Sequence, residues 1–179
     1  MIFSGTEAEL GSGGRVVVQL CKTVPNPTKT YVYFDNWFTS LDLIILLKND
    51  YGINSLGTVR SNRLQGCTLE QDKSLLKMGR RTFDYKADNN AGIAVVKWAD
   101  TKCVTLASSY VSHTPTFQVK RYSKEEKKKV DVVCPQIKKQ YNTHMGGVDL
   151  ADMLIALYKT LYETVKSLDG NMTISKNSE

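Results

Sequence analysis

The most regular pattern in the chain lies near its start, where a short apolar strand is followed by a long apolar helix. The β-branched and aromatic run Tyr31–Phe34 predicts a buried strand that stops at an acidic residue, Asp35. Thr39 and Asp42 have the spacing of a capping box, so a helix is predicted to begin there and to carry the apolar positions Leu41–Leu47.

A second strand is predicted directly after this helix. The helix should end near Asn49 and Asp50, before Gly52, and residues 53–59 then have a strand-like composition. A strand–helix–strand unit predicts a parallel pair with a right-handed crossover. Because ligands of open α/β sheets gather at the carboxyl ends of strands, Asp35 becomes a candidate for chemistry.

Weaker patterns precede this unit. The valines of residues 15–24 would suit a strand, but we favour a helix because two prolines follow the segment. The face of that helix would consist of Val16, Leu20, Thr23 and Val24. The glycines before it, at positions 5, 11, 13 and 14, suggest a phosphate-binding turn, although the lysine and Ser/Thr of a P-loop are missing.

The middle of the chain changes character after residue 60. Residues 61–78 are polar and basic, which indicates an irregular or briefly helical connection. Three strand-like runs follow, Thr82–Lys86, Ile93–Trp98 and Cys103–Tyr110, separated by turn compositions. They predict an antiparallel meander in which Trp98 is a packing residue.

A third informative stretch lies towards the carboxyl end, where two glycines precede a predicted helix. Asp149 and Asp152 stand three residues apart on this helix and therefore on one face. An apolar stripe lies on the other side, at Ala151, Leu154, Ile155, Tyr158, Leu161, Tyr162, Val165 and Leu168. By itself, such an acidic pair is most often a capping and dipole feature.

Composition bounds the class of protein. A chain of 179 residues with 41% hydrophobic content suits one globular domain with a small insert or tail. The amino end does not resemble a signal peptide, and the longest apolar run, Leu43–Leu47, is too short to span a bilayer. The four cysteines are widely spaced, which argues against a zinc site and favours free thiols in a reducing compartment.

Positive charge is concentrated in two segments. Residues 119–139 hold eight basic residues against three acidic ones, and residues 59–81 hold six against two. Such clustering favours a polyanionic partner, whereas a solvated loop that aids solubility is the alternative. The candidate nucleic-acid contacts are Arg60, Arg63, Lys120, Arg121, Lys127, Lys128 and Lys129.

Three motifs together resemble one family, the piggyBac-type transposases and the host proteins derived from them. The motifs are Phe34–Ser40 (FDNWFTS), Leu56–Asn62 (LGTVRSN), and Tyr141-Asn142 followed by Gly146–Asp152 (GGVDLAD). The resemblance implies an α/β fold with a partial ribonuclease H-like core, made of the strand–helix–strand unit and the carboxyl-terminal helix. It also implies that a small antiparallel β insert interrupts this core. The implied parts are residues 1–60 (core), 61–135 (insert with the meander and basic segments), 136–168 (core helix) and 169–179 (tail).

The resemblance also implies chemistry. Members of the family cut and join DNA at TTAA sites with divalent metal ions held by aspartates. Asp35 corresponds to the second catalytic aspartate, Asp149 to the third and Asp152 to an additional one nearby, so all three are expected catalytic residues and Mg²⁺ or Mn²⁺ ligands. The expected partner is DNA, bound without sequence preference, in the nucleus or the cytoplasm. A homodimer is left open.

One departure from the family pattern bears on activity, since no aspartate precedes Asp35 as the first catalytic aspartate would. Without it the bridging carboxylate of a two-metal site is missing. We therefore expect a fragment of a transposase core that is inactive alone, and whether the chain is itself an enzyme stays open. The alternatives are a non-enzymatic DNA-binding or interaction module, or a product with no independent role.

Overall fold

The computed structural model describes residues 7, 10–79, 82–123 and 127–171, without the side chains of 121, 123 and 164–171. Two compact units divide the chain, residues 1–144 and residues 145–179. Several residues named above lie outside the described part, wholly or by their side chains: Gly5, Arg121, Val165 and Leu168. Arg80 and Arg81, the last two basic residues of the segment 59–81, also lie outside it.

The described residues contain five α-helices and seven strands, besides two single-turn 3-10 helices at Pro27–Lys29 and Ser61–Arg63. The helices are Ser12–Cys21 (α1), Leu41–Tyr51 (α2), Asp72–Lys77 (α3), Gln136–His144 (α4) and Gly147–Asn171 (α5). The strands are Tyr31–Phe34 (β1), Asn54–Thr58 (β2), Phe83–Asp88 (β3), Ile93–Ala99 (β4), Cys103–Ser108 (β5), Thr116–Ser123 (β6) and Lys128–Pro135 (β7).

A five-stranded mixed sheet forms the centre of the first unit, with strand order β1-β2-β5-β4-β3. The predicted parallel pairing of β1 with β2 is confirmed, and Phe34 lies opposite Gly57. The predicted antiparallel meander of β3, β4 and β5 is also confirmed. It joins β2 through β5, so the meander extends the same sheet. The α/β class is therefore confirmed, while the ribonuclease H-like topology and the domain boundaries stay predictions.

Helix α2 connects the two parallel strands and supplies much of the core. Its six apolar positions Leu41 and Leu43–Leu47 are all buried, and each such side chain stabilises the fold by roughly 1.5–3 kcal/mol. Gly52 ends the helix in the left-handed region, at φ 67°, where a glycine carries no Cβ penalty. The end predicted before Gly52 is confirmed.

The start of α2 differs from the prediction. Ser40, and not Thr39, is the N-cap, because its Oγ accepts a hydrogen bond from the backbone N–H of Leu43 at 3.2 Å. Thr39 is fully buried one residue earlier and donates its hydroxyl to the carbonyl of Asp35. The capping-box pattern found the right turn but assigned the cap to the wrong hydroxyl.

Two predicted burial patterns were also wrong. Helix α1 exists, but Val16 and Leu20 are 52% and 64% exposed, and the buried face instead contains Val17, Val18 and Cys21. Strand β1 lies at the edge of the sheet, so Tyr31 is 52% exposed. An edge strand is covered on fewer sides than the apolar run suggested.

The basic segment after residue 115 forms a hairpin that sequence reasoning missed. Strands β6 and β7 pair antiparallel, and Val132 and Cys134 on β7 are buried. Lys128 and Lys129 therefore begin a strand and not a loop, although both are exposed, so a role in solubility stays an alternative. The high charge of the segment hid an alternation of apolar positions that is typical of a half-covered strand.

In the described part of the second unit, the long helix α5 follows Met145 and Gly146. Asp149 lies in its first turn and Asp152 one turn later, so their three-residue spacing places them on one face, as predicted. Both carboxylates are exposed, and so are the apolar residues Leu154, Tyr158 and Leu161.

No helix among the described residues is long and apolar enough to cross a membrane. None of the four cysteines, all of which are described, forms a disulfide.

Candidate active site around Asp35

Asp35 lies at the carboxyl end of β1, as the sequence predicted. The residue is exposed, and its Oδ1 accepts a hydrogen bond from the backbone N–H of Trp37 at 2.9 Å. This bond folds the chain into a tight turn directly after the strand. The carboxylate is therefore fixed by one oxygen and open to solvent.

Thr39 closes the loop that follows Asp35. Its backbone N–H and its Oγ1 both donate to the carbonyl oxygen of Asp35, at 3.2 Å and 2.6 Å. Thr39 is fully buried, and these two bonds satisfy its hydroxyl and its backbone N–H and anchor the loop against the core. Sequence reasoning assigned Thr39 to helix capping and missed this role.

Gly57 makes room for the loop on the neighbouring strand. A Cβ added there would lie 2.6 Å from Cδ2 of Phe34, 2.8 Å from the Phe34 carbonyl oxygen, and closer still to Oγ1 of Thr39. No residue with a side chain fits between β1 and the loop without displacing backbone. This explains the glycine of the LGTVRSN motif in physical terms.

Arg63 anchors the same loop through hydrogen bonds to its backbone. Its Nη1 donates to three backbone carbonyls, those of Asn36 (3.2 Å), Trp37 (2.8 Å) and Thr39 (3.2 Å). The residue is half-buried, and its partners lie more than twenty positions earlier in the chain. No local sequence signal could have found this contact, because charge alone suggested a phosphate ligand.

Arg60 is the second arginine at this loop. Its Nε donates to Oδ1 of Asn36 at 3.1 Å, and its Cζ lies 5.7 Å from the centre of the Trp37 ring. The structure thus brings Arg60 and Arg63, both predicted nucleic-acid contacts, to the loop that carries Asp35. Their positive charge remains at the site, since the groups that accept their hydrogen bonds are neutral.

A cleft of about 360 Å³ adjoins the loop, between the amino end of α1 and residues 62–65. Gly13 of α1 lies close to the loop, because a Cβ there would be 3.1 Å from the Trp37 carbonyl oxygen. Close packing therefore accounts for this glycine. The phosphate-binding turn stays a prediction.

Metal binding depends on which carboxylates lie near Asp35. Among the described residues of the first unit, no group of three or more His, Cys, Asp or Glu side chains could hold a metal ion. Asp149 and Asp152 belong to the second unit, and their approach to Asp35 stays a prediction. All three are exposed carboxylates, which are the hard oxygen ligands that Mg²⁺ and Mn²⁺ prefer.

The predicted lysine contacts lie on the hairpin. Lys120 on β6, Lys127 in the turn, and Lys128 and Lys129 on β7 are exposed. Two further lysines of the segment lie on α4 beside aromatic rings, with Nζ of Lys139 3.7 Å from the centre of the Phe117 ring and Nζ of Lys138 5.4 Å from that of Tyr141.

Comparisons with known proteins agree with the motifs. The sequence model of a protein family described as Transposase IS4 matches residues 4–175. The human PiggyBac transposable element-derived protein 3 is 40% identical over 153 residues, which cover 84% of this chain and 26% of that protein. The human PiggyBac transposable element-derived protein 2 is 32% identical over 167 residues, which cover 92% of this chain and 28% of that protein.

A solved structure is also similar, the piggyBac transposase in a cryo-EM synaptic complex with hairpin DNA. Its TM-score is 0.53 at 26% identity, over 87% of this chain and 30% of that one. The chain therefore spans less than a third of the length of these relatives. With a family match over nearly all of its residues, the chain belongs to the piggyBac-type transposase family.

Proposed function

We propose that this chain is part of the DNA-cutting core of a piggyBac-type, transposase-derived protein, with Asp35, Asp149 and Asp152 as its metal-binding carboxylates. The observation that carries the proposal is the presentation of Asp35. Its carboxylate is fixed at the end of β1 by the Trp37 N–H, in a loop held by Thr39, Gly57 and Arg63. A loop fixed at this many points suits a metal ligand, because a metal site needs its ligands preorganised.

The proposed cofactor is Mg²⁺ or Mn²⁺. When bound, such an ion activates the attacking oxygen and stabilises the leaving oxygen in transfer of a DNA phosphate. Asp35 would hold it from the first unit, and Asp149 and Asp152 from the second. Arg60 and Arg63 add positive charge near Asp35, which would attract the DNA backbone to the site.

The metal proposal is tested with Mn²⁺ titration of the 179-residue chain, followed by electron paramagnetic resonance of the free ion. Asp35→Asn should remove most of the binding, since the amide keeps the shape of the side chain but loses its charge. Asp50→Asn, at an exposed aspartate near the end of α2, is the matched control and should bind as the parent does. Unchanged Mn²⁺ binding in Asp35→Asn contradicts the proposed ligand set.

The convergence of the three aspartates has its own test. Cysteines placed beside the two aspartates, at the exposed positions Asn36 and Val148, can be labelled with nitroxides in a chain whose four native cysteines are replaced by serine. The distance between the labels is then measured by pulsed electron resonance. The proposal expects a short separation in the presence of the metal ion. A pair of labels that stays far apart shows that these aspartates do not share an ion.

We propose further that the ancestral activity is cleavage and strand transfer at TTAA sites, and that this chain does not perform it alone. The reason is the lack of an aspartate before Asp35, since the carboxylate that bridges the two ions of a two-metal site is then missing. The purified chain should leave a TTAA-containing duplex intact in Mg²⁺ or Mn²⁺. Metal-dependent nicking that disappears in Asp149→Ala would contradict this expectation.

A second candidate function is non-enzymatic DNA binding, and the exposed lysines of the hairpin favour it. Each lysine that contacts a phosphate should steepen the fall of log affinity with log salt by about 0.9. Replacing Lys127, Lys128 and Lys129 with glutamine should shallow the slope by up to roughly 2–3. Lys29→Gln and Lys102→Gln, at exposed lysines outside both basic segments, are the controls. An unchanged slope in the triple variant would assign the hairpin lysines to solubility.

A further inference from the structure

Trp37, two residues after Asp35, is a large aromatic side chain left in solvent. It is 56% exposed, whereas the other tryptophan of the chain, Trp98, is 2% exposed and donates its Nε1–H to the Val133 carbonyl. The Nε1–H of Trp37 has no acceptor in the described part of the chain. Packing in the core accounts for the presence of a tryptophan at position 98, but it does not account for the exposed indole at position 37.

The backbone that presents Trp37 is fixed on both sides of the residue. Its N–H donates to Oδ1 of Asp35 at 2.9 Å, and its carbonyl accepts from Nη1 of Arg63 at 2.8 Å. The exposed indole is therefore not the free end of a loose loop. An aromatic side chain on a fixed backbone has only its own two torsions to order when a ligand stacks on it.

A cation lies against the ring. The Cζ of Arg60 is 5.7 Å from the ring centre, and its Nε is bonded to Oδ1 of Asn36. An aromatic ring beside an arginine combines a stacking surface for a base with a charge for a phosphate. Proteins that hold unpaired nucleotides use this combination.

We propose that Trp37, with Arg60 beside it, stacks on an unpaired DNA base next to Asp35. The inference rests on the proposed function, because it takes DNA as the ligand of the site. Paired bases inside a duplex expose only their edges, so a base must leave the stack before its face can lie on the indole. The site would therefore prefer DNA with unpaired bases near the phosphate that Asp35 faces.

Tryptophan fluorescence tests this inference directly, since Trp37 and Trp98 are the only two tryptophans. We would titrate the 179-residue chain with a single-stranded oligothymidylate and with a mixed-sequence duplex of equal length. Stacking on a base quenches indole emission, so the single strand should quench and the duplex should quench less. Trp37→Phe should remove the quenching, because Trp98 is buried.

Affinity gives a second readout. Trp37→Ala should weaken binding of the single strand by about 5- to 150-fold, the effect of losing one stacked base, and weaken duplex binding far less. Trp37→Phe should retain part of the affinity, because it keeps a ring. Tyr85→Ala is the matched control, since Tyr85 is an exposed aromatic on β3, at the opposite edge of the sheet. Thermal unfolding would show that each variant is folded.

The possible outcomes separate the inference from the proposed function. DNA binding with a lysine-dependent salt slope, but without quenching and without an effect of Trp37→Ala, overturns the stacking role alone. Failure of the parent to bind either DNA overturns both. Quenching that Trp37→Phe removes, together with an affinity loss confined to the single strand, supports the inference.

Discussion

The loop that carries Asp35 packs against Gly57, a residue without a functional side chain, so Gly57→Ala should destabilise the fold at this point. The added Cβ would lie 2.6 Å from Cδ2 of Phe34 and 2.8 Å from its carbonyl oxygen, and closer still to Oγ1 of Thr39. The phenyl ring has some freedom to turn, but the carbonyl belongs to β1, which is paired to β2 at this same position. Either the two strands separate locally or the loop moves away.

The size of the effect follows from these contacts. Overpacking of a core by one methyl group costs typically about 1–3 kcal/mol when the neighbours cannot yield. For a protein of this size, one kcal/mol corresponds to about 2–4 °C, so the midpoint of thermal unfolding should fall by roughly 2–12 °C. Circular dichroism during heating, or unfolding in urea, measures the change.

Two further variants make this prediction specific. Gly146→Ala is the control, because a Cβ there meets nothing within 4 Å, and its stability should stay within about 0.5 kcal/mol of the parent. Thr39→Ala removes one of the three clashing atoms, so combining it with Gly57→Ala should cost less than the sum of the single changes. If Gly57→Ala proves as stable as Gly146→Ala, the loop does not pack on β2 as described.

Three other predictions concern the surroundings of the same strand. Arg63→Lys keeps the charge, but the lysine side chain is one atom shorter than the path to Nη1, which reaches three carbonyls, so the change should destabilise the first unit by about 1–3 kcal/mol in urea unfolding; equal stability would refute the anchoring role. Because Ser40 is the N-cap of α2, Ser40→Ala should lower the free energy of unfolding by about 0.5–2 kcal/mol in the same urea experiment, and Thr39→Ser, which keeps its hydroxyl, should lower it much less. Burial, and then the hydrogen bond with Tyr33, raises the pKa of Tyr110 far above the ordinary 10.0. The neutral phenol is thus favoured by folding, and the stability it contributes is complete below pH 10 and lost as pH rises through the raised pKa. Tyr110 of the folded protein should therefore still be neutral at about pH 11, where an ordinary tyrosine is ionised. Tyr110→Phe should accordingly leave the tyrosinate absorbance of the folded protein at that pH unchanged, and a smaller absorbance in the variant than in the parent would contradict this.

Sequence patterns predicted the elements around Asp35 well because local forces dominate there. Neighbouring residues are enough to predict the apolar run of α2, the glycine that ends it and the parallel strands on either side. The meander was equally predictable from the sequence, since three strand-like runs were separated by turn residues. Motif spacing led to the family in the same way.

Contacts between distant residues could not be predicted from such patterns. The bond from Arg63 to the Trp37 carbonyl spans 26 positions, and the close approach of Gly57 to Thr39 depends on how β2 pairs. Charge composition did not predict the strand β7, because Lys128 and Lys129 masked the buried Val132. A rule that treats lysine runs as loops fails when only one face of a strand is covered.

The loop around Asp35 shows how one residue type can serve two purposes. Arg63 was selected as a phosphate contact for its charge, yet its Nη1 is used to hold the backbone of Asn36, Trp37 and Thr39. Neutral carbonyls accept these bonds, so the guanidinium keeps its full positive charge beside the site. Anchoring the loop and attracting a phosphate are therefore compatible. Arg63→Lys separates the two roles, because the lysine keeps the positive charge and loses the hydrogen bonds of Nη1. An Arg63→Lys variant that loses stability would show that the geometry of Arg63 holds the loop, and a shallower salt slope in Arg63→Gln would show that its charge acts on the DNA.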